Sequence, residues 1–333
     1  MMMLYFGTDG NTKKELEQAF RINHHYDEEL NNALNIINSC LTKSNSEHTT
    51  VSVVNTCFVS DTCKLKEDFL KKISIMGTVQ SINYRESNLA LEYINDWVSN
   101  NTNKLIPQLL DTDDITPNTL LTLINCLYFR GNWKIPFDPD RTHKRKFTTL
   151  SKDITDIDMM VSCDEQYPYW EDENAQYLEM FYKDKEFAMG IILPKNIDTE
   201  IQIPENLSSI VKNLVDRDVN IEIPKFKQKS KHKLNPLFED MGVKDIFNGN
   251  ADLSRIYNGN DISVSNIIQE VVVIVDESGT EAAAATAGIM TRNCIGVSKP
   301  INFVANHTFY YYIRHKPTNT IMFYGIWDGQ NDL

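Results

Sequence analysis

The sequence predicts an α+β fold, with helices in the first third of the chain and strands in most of the rest. Amphipathic helical patterns occupy the first hundred residues, whereas strand-like runs follow from Leu121 onward. The two kinds of pattern do not alternate as they do in parallel βαβ proteins. We therefore expect helices packed on large sheets.

The helical part contains two well-defined signals. Thr12 and Glu15 form a predicted capping box before "ELEQAF", and "NLALEYINDWVSNNT" places Leu91, Ile94 and Val98 on one face of a helix. These apolar faces are typical of core-facing helices.

The strand part consists of apolar runs rich in β-branched and aromatic residues. They are "LLTLINCLYF", "FAMGIILP", "VNIEIPKF", "VVVIV", "FYYYIRH" and "IMFYGIW". No linker or repeat separates them, so we expect a single domain over residues 1–333.

Composition limits the partners. A net charge of −13 argues against nucleic acid and against an anionic membrane surface. The first residues lack the basic and apolar regions of a signal peptide, so we expect a cytoplasmic protein, with unconventional secretion left open. Six cysteines without metal-ligand spacing predict thiols, no metal site and no cofactor.

Catalytic motifs are missing from the sequence. It contains no G-x-S-x-G, P-loop, H-E-x-x-H or G-x-G-x-x-G pattern. We therefore predict that the chain is not an enzyme.

The most informative stretch is "EVVVIVDESGTEAAAATAGIMTRNCIG", residues 270–296. After the apolar run comes a tract of small residues, and Arg292 is the only charged side chain between Glu281 and Lys299. A short alanine helix would explain the alanines alone. An irregular segment of about twenty residues is longer than compact domains usually contain without a function.

A segment that serves first as a loop and later as a buried strand would need this composition. Alternate residues of an inserted strand face the buried side of the sheet, so Thr280, Ala282, Ala284 and Thr286 must be small. Gly279 supplies the backbone freedom where the chain reverses.

The motif "VDESGTEAAAATA" resembles the reactive-loop hinge of the serpins, the serine protease inhibitors that trap proteases by loop insertion. Other segments resemble serpin segments in serpin order, among them "INDWVSNNTNKLI", "LINCLYFRGNWKIPFD", "IPKFK", "LFEDMGVKDIF" and "FVANHTFYYYIRHKPTNTIMFYG". The chain is most similar to the intracellular, ovalbumin-type branch and to poxvirus serpins.

The resemblance implies a specific fold. We expect a large central, mostly antiparallel sheet, two further sheets, eight or nine helices, and an exposed reactive-centre loop at about residues 279–300. The opening "MMMLYFG" resembles the second serpin helix, so the resemblance implies that the first helix is missing.

The resemblance also implies site residues. The hinge comprises Gly279, Thr280, Glu281, Ala282, Ala283, Ala284, Ala285 and Thr286. Trp133 matches the tryptophan beneath the point where insertion begins. Asn125 and Gln269 match the polar cluster where the central strands part, and Gln269 replaces the histidine usual in the family.

Two positions remain open for the bond that the protease cleaves. A lone guanidinium suits trypsin-like proteases, which favours Arg292 as the bait residue and Arg292–Asn293 as the reactive bond. Counting from the hinge as in most members of the family that the chain resembles gives Asn293–Cys294 instead, which would suit an asparagine-specific cysteine protease.

The expected function is inhibition of a trypsin-like serine protease by a monomer, with a viral role in modulating host defence or apoptosis. A cross-class inhibitor of cysteine proteases and a non-inhibitory serpin are the alternatives.

Overall fold

The structure is a computed structural model of the chain. It describes residues 1–43, 45–199, 207–259, 262–280 and 299–330.

The chain divides into two compact units. The first comprises Met1–Lys43, Val51–Tyr128 and Lys229–Val272. The second comprises Ser44–Thr50, Phe129–Gln228 and Val273–Leu333. The expectation of a single domain over 1–333 stays a prediction.

Seven α-helices occur in the described residues, and all except α6 belong to the first unit. They are α1 Met2–Gly7, α2 Gly10–Phe20, α3 Asp27–Lys43, α4 Glu67–Ile73, α5 Ser87–Asn101, α6 Leu207–Asn213 and α7 Asn235–Asp240. Four short 3-10 helices accompany them: His24–Tyr26, Thr112–Asp114, Pro139–Arg141 and Asp245–Phe247. None of the helices in the described ranges is both long and apolar enough to cross a bilayer.

Helix α2 begins earlier than the sequence suggests. Asp9 is its N-cap and accepts the first backbone N–H of the helix at 3.0 Å. The predicted capping box is wrong, because Thr12 Oγ1 accepts the backbone N–H of Asp252 and Glu15 Oε2 accepts that of Asp245, both at 2.9 Å. Tertiary contacts thus use side chains that a local pattern assigns to the helix end.

The prediction for α5 is confirmed. Ala90, Ile94 and Val98 are buried along one face, and Leu91 is half-buried beside them.

Six strands form the first sheet. They are β1 Thr49–Ser60, β2 Thr78–Ile82, β3 Leu121–Asn132, β9 Phe226–Lys233, β10 Asn266–Val275 and β11 Gly279–Thr280. Their order is β2-β1-β3-β10-β9, with β11 paired to β3. In the first unit, β2 is parallel to β1 and β10 is parallel to β3.

Eight strands form the second sheet. They are β4 His143–Thr148, β5 Ile154–Glu171, β6 Ala175–Phe181, β7 Phe187–Pro194, β8 Val215–Pro224, β12 Ile301–Val304, β13 Phe309–His315 and β14 Thr320–Trp327. Their order is β12-β8-β5-β6-β7-β13-β14, with β4 paired to β5. The resemblance implies two further sheets besides the central one. Here they form one continuous sheet, because the 18-residue strand β5 pairs with both β8 and β6.

Each unit has its own core. In the first unit, the apolar face of α1 packs with Leu16, Ile73 and Ile256. In the second unit, every residue of β7 is buried. A buried ion pair joins β6 and β13, the two strands that flank β7. Arg314 on β13 donates to both carboxylate oxygens of Glu179 on β6, at 2.7 and 2.9 Å.

Gly190 in β7 leaves room for the Tyr312 ring. A Cβ at this glycine would lie 2.0 Å from Cζ of Tyr312, whose hydroxyl donates to Glu179 at 2.8 Å. Because the ring is buried and hydrogen-bonded, we expect Gly190→Ala to lower the free energy of unfolding by about 1–3 kcal/mol. The thermal unfolding midpoint measures this loss.

Gly249→Ala is the matched control. An added Cβ there meets nothing within 4 Å. A Gly190→Ala midpoint equal to that of Gly249→Ala would mean that the ring can move aside.

Candidate functional site

The base of the predicted hinge is a tight turn at the end of β10. The backbone N–H of Asp276 donates to Gly279 O at 2.8 Å, and Asp276 Oδ1 accepts the N–H groups of Ser278 and Gly279 at 2.9 and 3.1 Å. Burial raises the pKa of Asp276 even though these two N–H groups donate to its carboxylate. The turn reverses the chain directly after the strand.

Gly279 permits a close approach to β3. Its φ of +152° lies where L side chains are rare, and a Cβ would lie 2.0 Å from Gly131 O. The two residues of β11 pair antiparallel with β3, Gly279 with Asn132 and Thr280 with Gly131. The predicted insertion segment therefore starts as a paired strand.

Trp133 donates two hydrogen bonds to this turn. Its Nε1 donates to Asp276 O at 2.9 Å, and its backbone N–H donates to Ser278 O at 2.9 Å. The buried indole stacks on Tyr182 with ring centroids 4.6 Å apart. The side chain thus links the turn to Tyr182, directly after β6 in the second unit, through an aromatic pair.

Glu277 anchors the turn through charge. Lys225 Nζ lies 2.7 Å from its Oε2, and Thr142 Oγ1 donates to its Oε1 at 2.9 Å. Burial acts to raise the pKa of Glu277, but the hydrogen bonds from Lys225, the backbone and Thr142, together with the charge of Lys225, outweigh burial and hold the pKa below its ordinary value. Sequence reasoning noted the acidic "DES" but not these partners.

A chain of three amides crosses the central strands of the first unit. Gln269 on β10 is opposite Asn125 on β3 and donates to its Oδ1 at 2.7 Å. Asn125 donates to Asn55 Oδ1 on β1 at 2.6 Å, and Asn55 donates to Met76 O at 2.9 Å. We call these three side chains the amide chain. Sequence reasoning found Asn125 and Gln269 but missed Asn55, whose only signal is a polar residue within the run "SVVNTCFV".

The remaining predicted site residues cannot be placed. Glu281, Ala282, Ala283, Ala284, Ala285, Thr286, Arg292, Asn293 and Cys294 lie outside the described residues. The roles of all predicted site residues stay predictions. Across the described ranges, no three His, Cys, Asp or Glu side chains are grouped to hold a metal ion.

Comparison with known proteins identifies the class. The family model described as Serpin (serine protease inhibitor) matches residues 1–327. Leukocyte elastase inhibitor from Xenopus tropicalis is 33% identical, covering 98% of this chain and 89% of the relative. A serpin-like protein of Acanthamoeba polyphaga mimivirus is 29% identical, covering 99% and 82%.

Solved structures agree with the sequence comparison. Native protease nexin-1, crystallised with heparin, has a TM-score of 0.88 and 27% identity, covering 98% of this chain and 89% of that one. The chain belongs to the serpin family, and the predicted serpin fold is confirmed.

Membership of the serpin family corrects the sequence-based expectation, which described the chain only as not an enzyme. The family description and the relative's name specify an inhibitor of proteases, a class defined by its action on an enzyme. The negative statement is replaced by that positive one.

The ion pair at the turn predicts a pH-dependent loss of stability. Glu277→Gln should lower the free energy of unfolding by about 1–2 kcal/mol at about pH 7, since Lys225 is half exposed and keeps some of its hydration. Because the folded-state pKa of Glu277 is below the unfolded value, the wild-type advantage is complete above about pH 4.5 and disappears as pH falls through the folded pKa. Thermal midpoints at several pH values measure the difference.

Glu239→Gln, at an exposed position on α7, is the control. A difference between wild type and Glu277→Gln that is the same at low and neutral pH would contradict the ion-pair assignment. Asp276 titrates in both proteins, and loss of the Glu277 charge removes one of the causes that raise the pKa of Asp276.

The hydrogen bond between Gln269 on β10 and Asn125 on β3 joins two amides, neither of which titrates. Gln269→His should introduce a pH response, because protonating a partly buried imidazole costs hydration that neighbouring amides do not replace. The folded-state pKa of this histidine would be lowered, so stability falls as pH drops below about 6.5, its unfolded value.

The measurement is the thermal midpoint of both proteins between about pH 5.5 and pH 8. The neighbouring Glu270 is buried, with Lys229 Nζ 2.9 Å away, and burial raises the pKa of Glu270. Parallel pH profiles for wild type and Gln269→His would refute the prediction.

Proposed function

We propose that this chain inhibits a trypsin-like serine protease as a suicide substrate. The protease cleaves after Arg292, and the segment that begins at Gly279 then inserts as a new strand between β3 and β10. The observation that carries this proposal is the pairing of Gly279 and Thr280 with β3, which supplies the first rungs of that strand.

The chemical step is ordinary acyl transfer. The serine Oγ of the protease attacks the carbonyl carbon of Arg292, the Arg292–Asn293 bond breaks, and the nitrogen of Asn293 leaves with a proton as a new amino terminus. The protease remains esterified to Arg292. Insertion before water attacks the ester distorts and traps the protease.

The driving force is the strand that forms. An inserted strand gains backbone hydrogen bonds to β3 on one side and β10 on the other, each worth about 1 kcal/mol net. Insertion must first part Gln269 from Asn125, which are bonded at 2.7 Å. Small residues at Ala282 and Ala284 suit the buried face of such a strand.

Arg292 is favoured as bait because a lone guanidinium suits a specificity pocket with a carboxylate at its base. Cleavage at Asn293–Cys294 by a cysteine protease is the second candidate, favoured by the count from the hinge. A non-inhibitory role would suit a bulky or charged hinge, whereas residues 282–285 are all alanine.

The setting follows from the relatives. A mimivirus relative described as serpin-like supports a viral origin, and we propose a role in modulating host defence or apoptosis. The likeness to leukocyte elastase inhibitor supports action on a protease, and we propose that the chain acts as a monomer in the cytoplasm.

Mixing the protein with trypsin tests the proposal. We expect a complex that survives denaturation and a released fragment whose mass begins at Asn293. A fragment beginning at Cys294 would move the bait to Asn293. Cleavage without a stable complex would overturn inhibition of trypsin.

Substitutions in the hinge separate insertion from recognition. Ala284→Arg places a charge on the predicted buried face, so cleavage should continue while the yield of stable complex falls about tenfold or more. Ala283→Arg is the matched control, because its side chain would face outward and leave the yield near that of wild type. Gel densitometry of the complex measures both.

Equal loss in the two variants would contradict insertion with this alternation. Equal retention would show that the segment does not enter the sheet.

A further inference from the structure

Two lysines of the second unit, neither in an ion pair among the described residues, lie beside the ring of Phe181. The ammonium of Lys316 lies 3.7 Å from the ring centroid of Phe181, and that of Lys134 lies 6.0 Å from it. Among the described residues, Lys134, Lys185 and Lys316 form no ion pair. In a chain with a net charge of −13, this is a local excess of positive charge.

The excess of positive charge affects the pKa of Lys316. Burial lowers its pKa, and the nearby charges of Arg314, Lys134 and Lys185 lower it further. Glu179 opposes this shift, but both of its carboxylate oxygens already accept bonds from Arg314 at 2.7 and 2.9 Å. Glu179 therefore offsets only part of the repulsion at Lys316, and a bound anion would relieve the rest.

A pocket lies beside the same aromatic ring. Its apolar wall includes Trp133, Ile135, Tyr167 and Phe181, and Lys134 also lines it. The cavity volume is about 140 Å³. A cavity of about 150 Å³ accepts benzene in another protein, so this one has room for a single ring.

We propose that this pocket binds a single-ring aromatic carboxylate. The ring lies against Trp133 and Tyr167, and the carboxylate lies beside the ammonium groups of Lys134 and Lys316 at the edge of Phe181. The apolar wall supplies the burial, and the two cations select the charge.

Asp216 is the carboxylate that lines the pocket, and it would favour a cationic ring instead. Its side chain is exposed and remains hydrated, which weakens its attraction. The half-buried Lys316, by contrast, is crowded by three cations. The lysines therefore favour an anionic ligand more than Asp216 favours a cationic one. Ligands of opposite charge can test this preference.

Binding here would also stabilise the native chain. Trp133 forms one wall of the pocket, and its Nε1 holds Asp276 O at the base of the hinge. A ligand that binds only the native state raises the unfolding midpoint, whether or not the chain inhibits a protease.

Titration of 4-fluorophenylacetate followed by fluorine NMR tests the site. We expect saturable binding, and displacement by phenylacetate but not by phenylacetamide or benzylamine. Lys134→Gln combined with Lys316→Gln should weaken binding about fivefold, because each partly exposed charge contributes modestly. Lys212→Gln, an exposed lysine on α6, should leave affinity unchanged.

Equal displacement by phenylacetamide would overturn the proposal, since charge would then play no part. Preferential displacement by benzylamine would assign the site to Asp216 and also overturn it. If the double variant does not fold, each single lysine variant should weaken binding about twofold. Unchanged affinity in both single variants would refute the role of the lysines.

Discussion

The parallel pairing of β3 with β10 is the constraint on which the rest of the structure depends. Seven consecutive pairs join them, from Thr122 with Asn266 to Tyr128 with Val272. Parallel strands cannot be joined by a hairpin, so the chain must leave the sheet after β3 and return before β10. That excursion contains strands β4 to β8 of the second sheet, and β9 then flanks β10 as the chain comes back.

The amide chain gives this pairing its specific character. Asn55, Asn125 and Gln269 sit within strands that are otherwise mainly apolar, and each bond is between 2.6 and 2.9 Å. A buried amide that loses its partner costs about 1–3 kcal/mol, and these amides are half-buried, so parting β3 from β10 costs some fraction of that amount at each broken bond. Separating β3 from β10 along this stretch therefore breaks the bond between Gln269 and Asn125 as well as apolar contacts.

Much of this fold could be predicted from the sequence, because periodicity and a family motif are local signals. The apolar run 271–275 predicts the end of β10, but not that the strand starts at Asn266, because Gln269 and Glu270 interrupt the pattern. Partners set by strand register were missed. Asn55 is 70 residues from Asn125, and Lys225 is 52 residues from Glu277. No local pattern connects positions so distant, and the cations around Phe181 escaped notice for the same reason.

On the proposed mechanism, recognition and trapping are determined by different parts of the chain. The bait residue chooses the protease, but the rate of insertion depends on how readily β3 parts from β10. Gly279 and Thr280 already pair with β3, so on this mechanism the new strand would grow from existing hydrogen bonds. The remaining barrier is the seam between β3 and β10, meaning their paired stretch that contains Asn125 and Gln269. A change of bait should therefore redirect the inhibitor without altering its trapping speed, whereas a change in the seam should alter the speed for every protease alike.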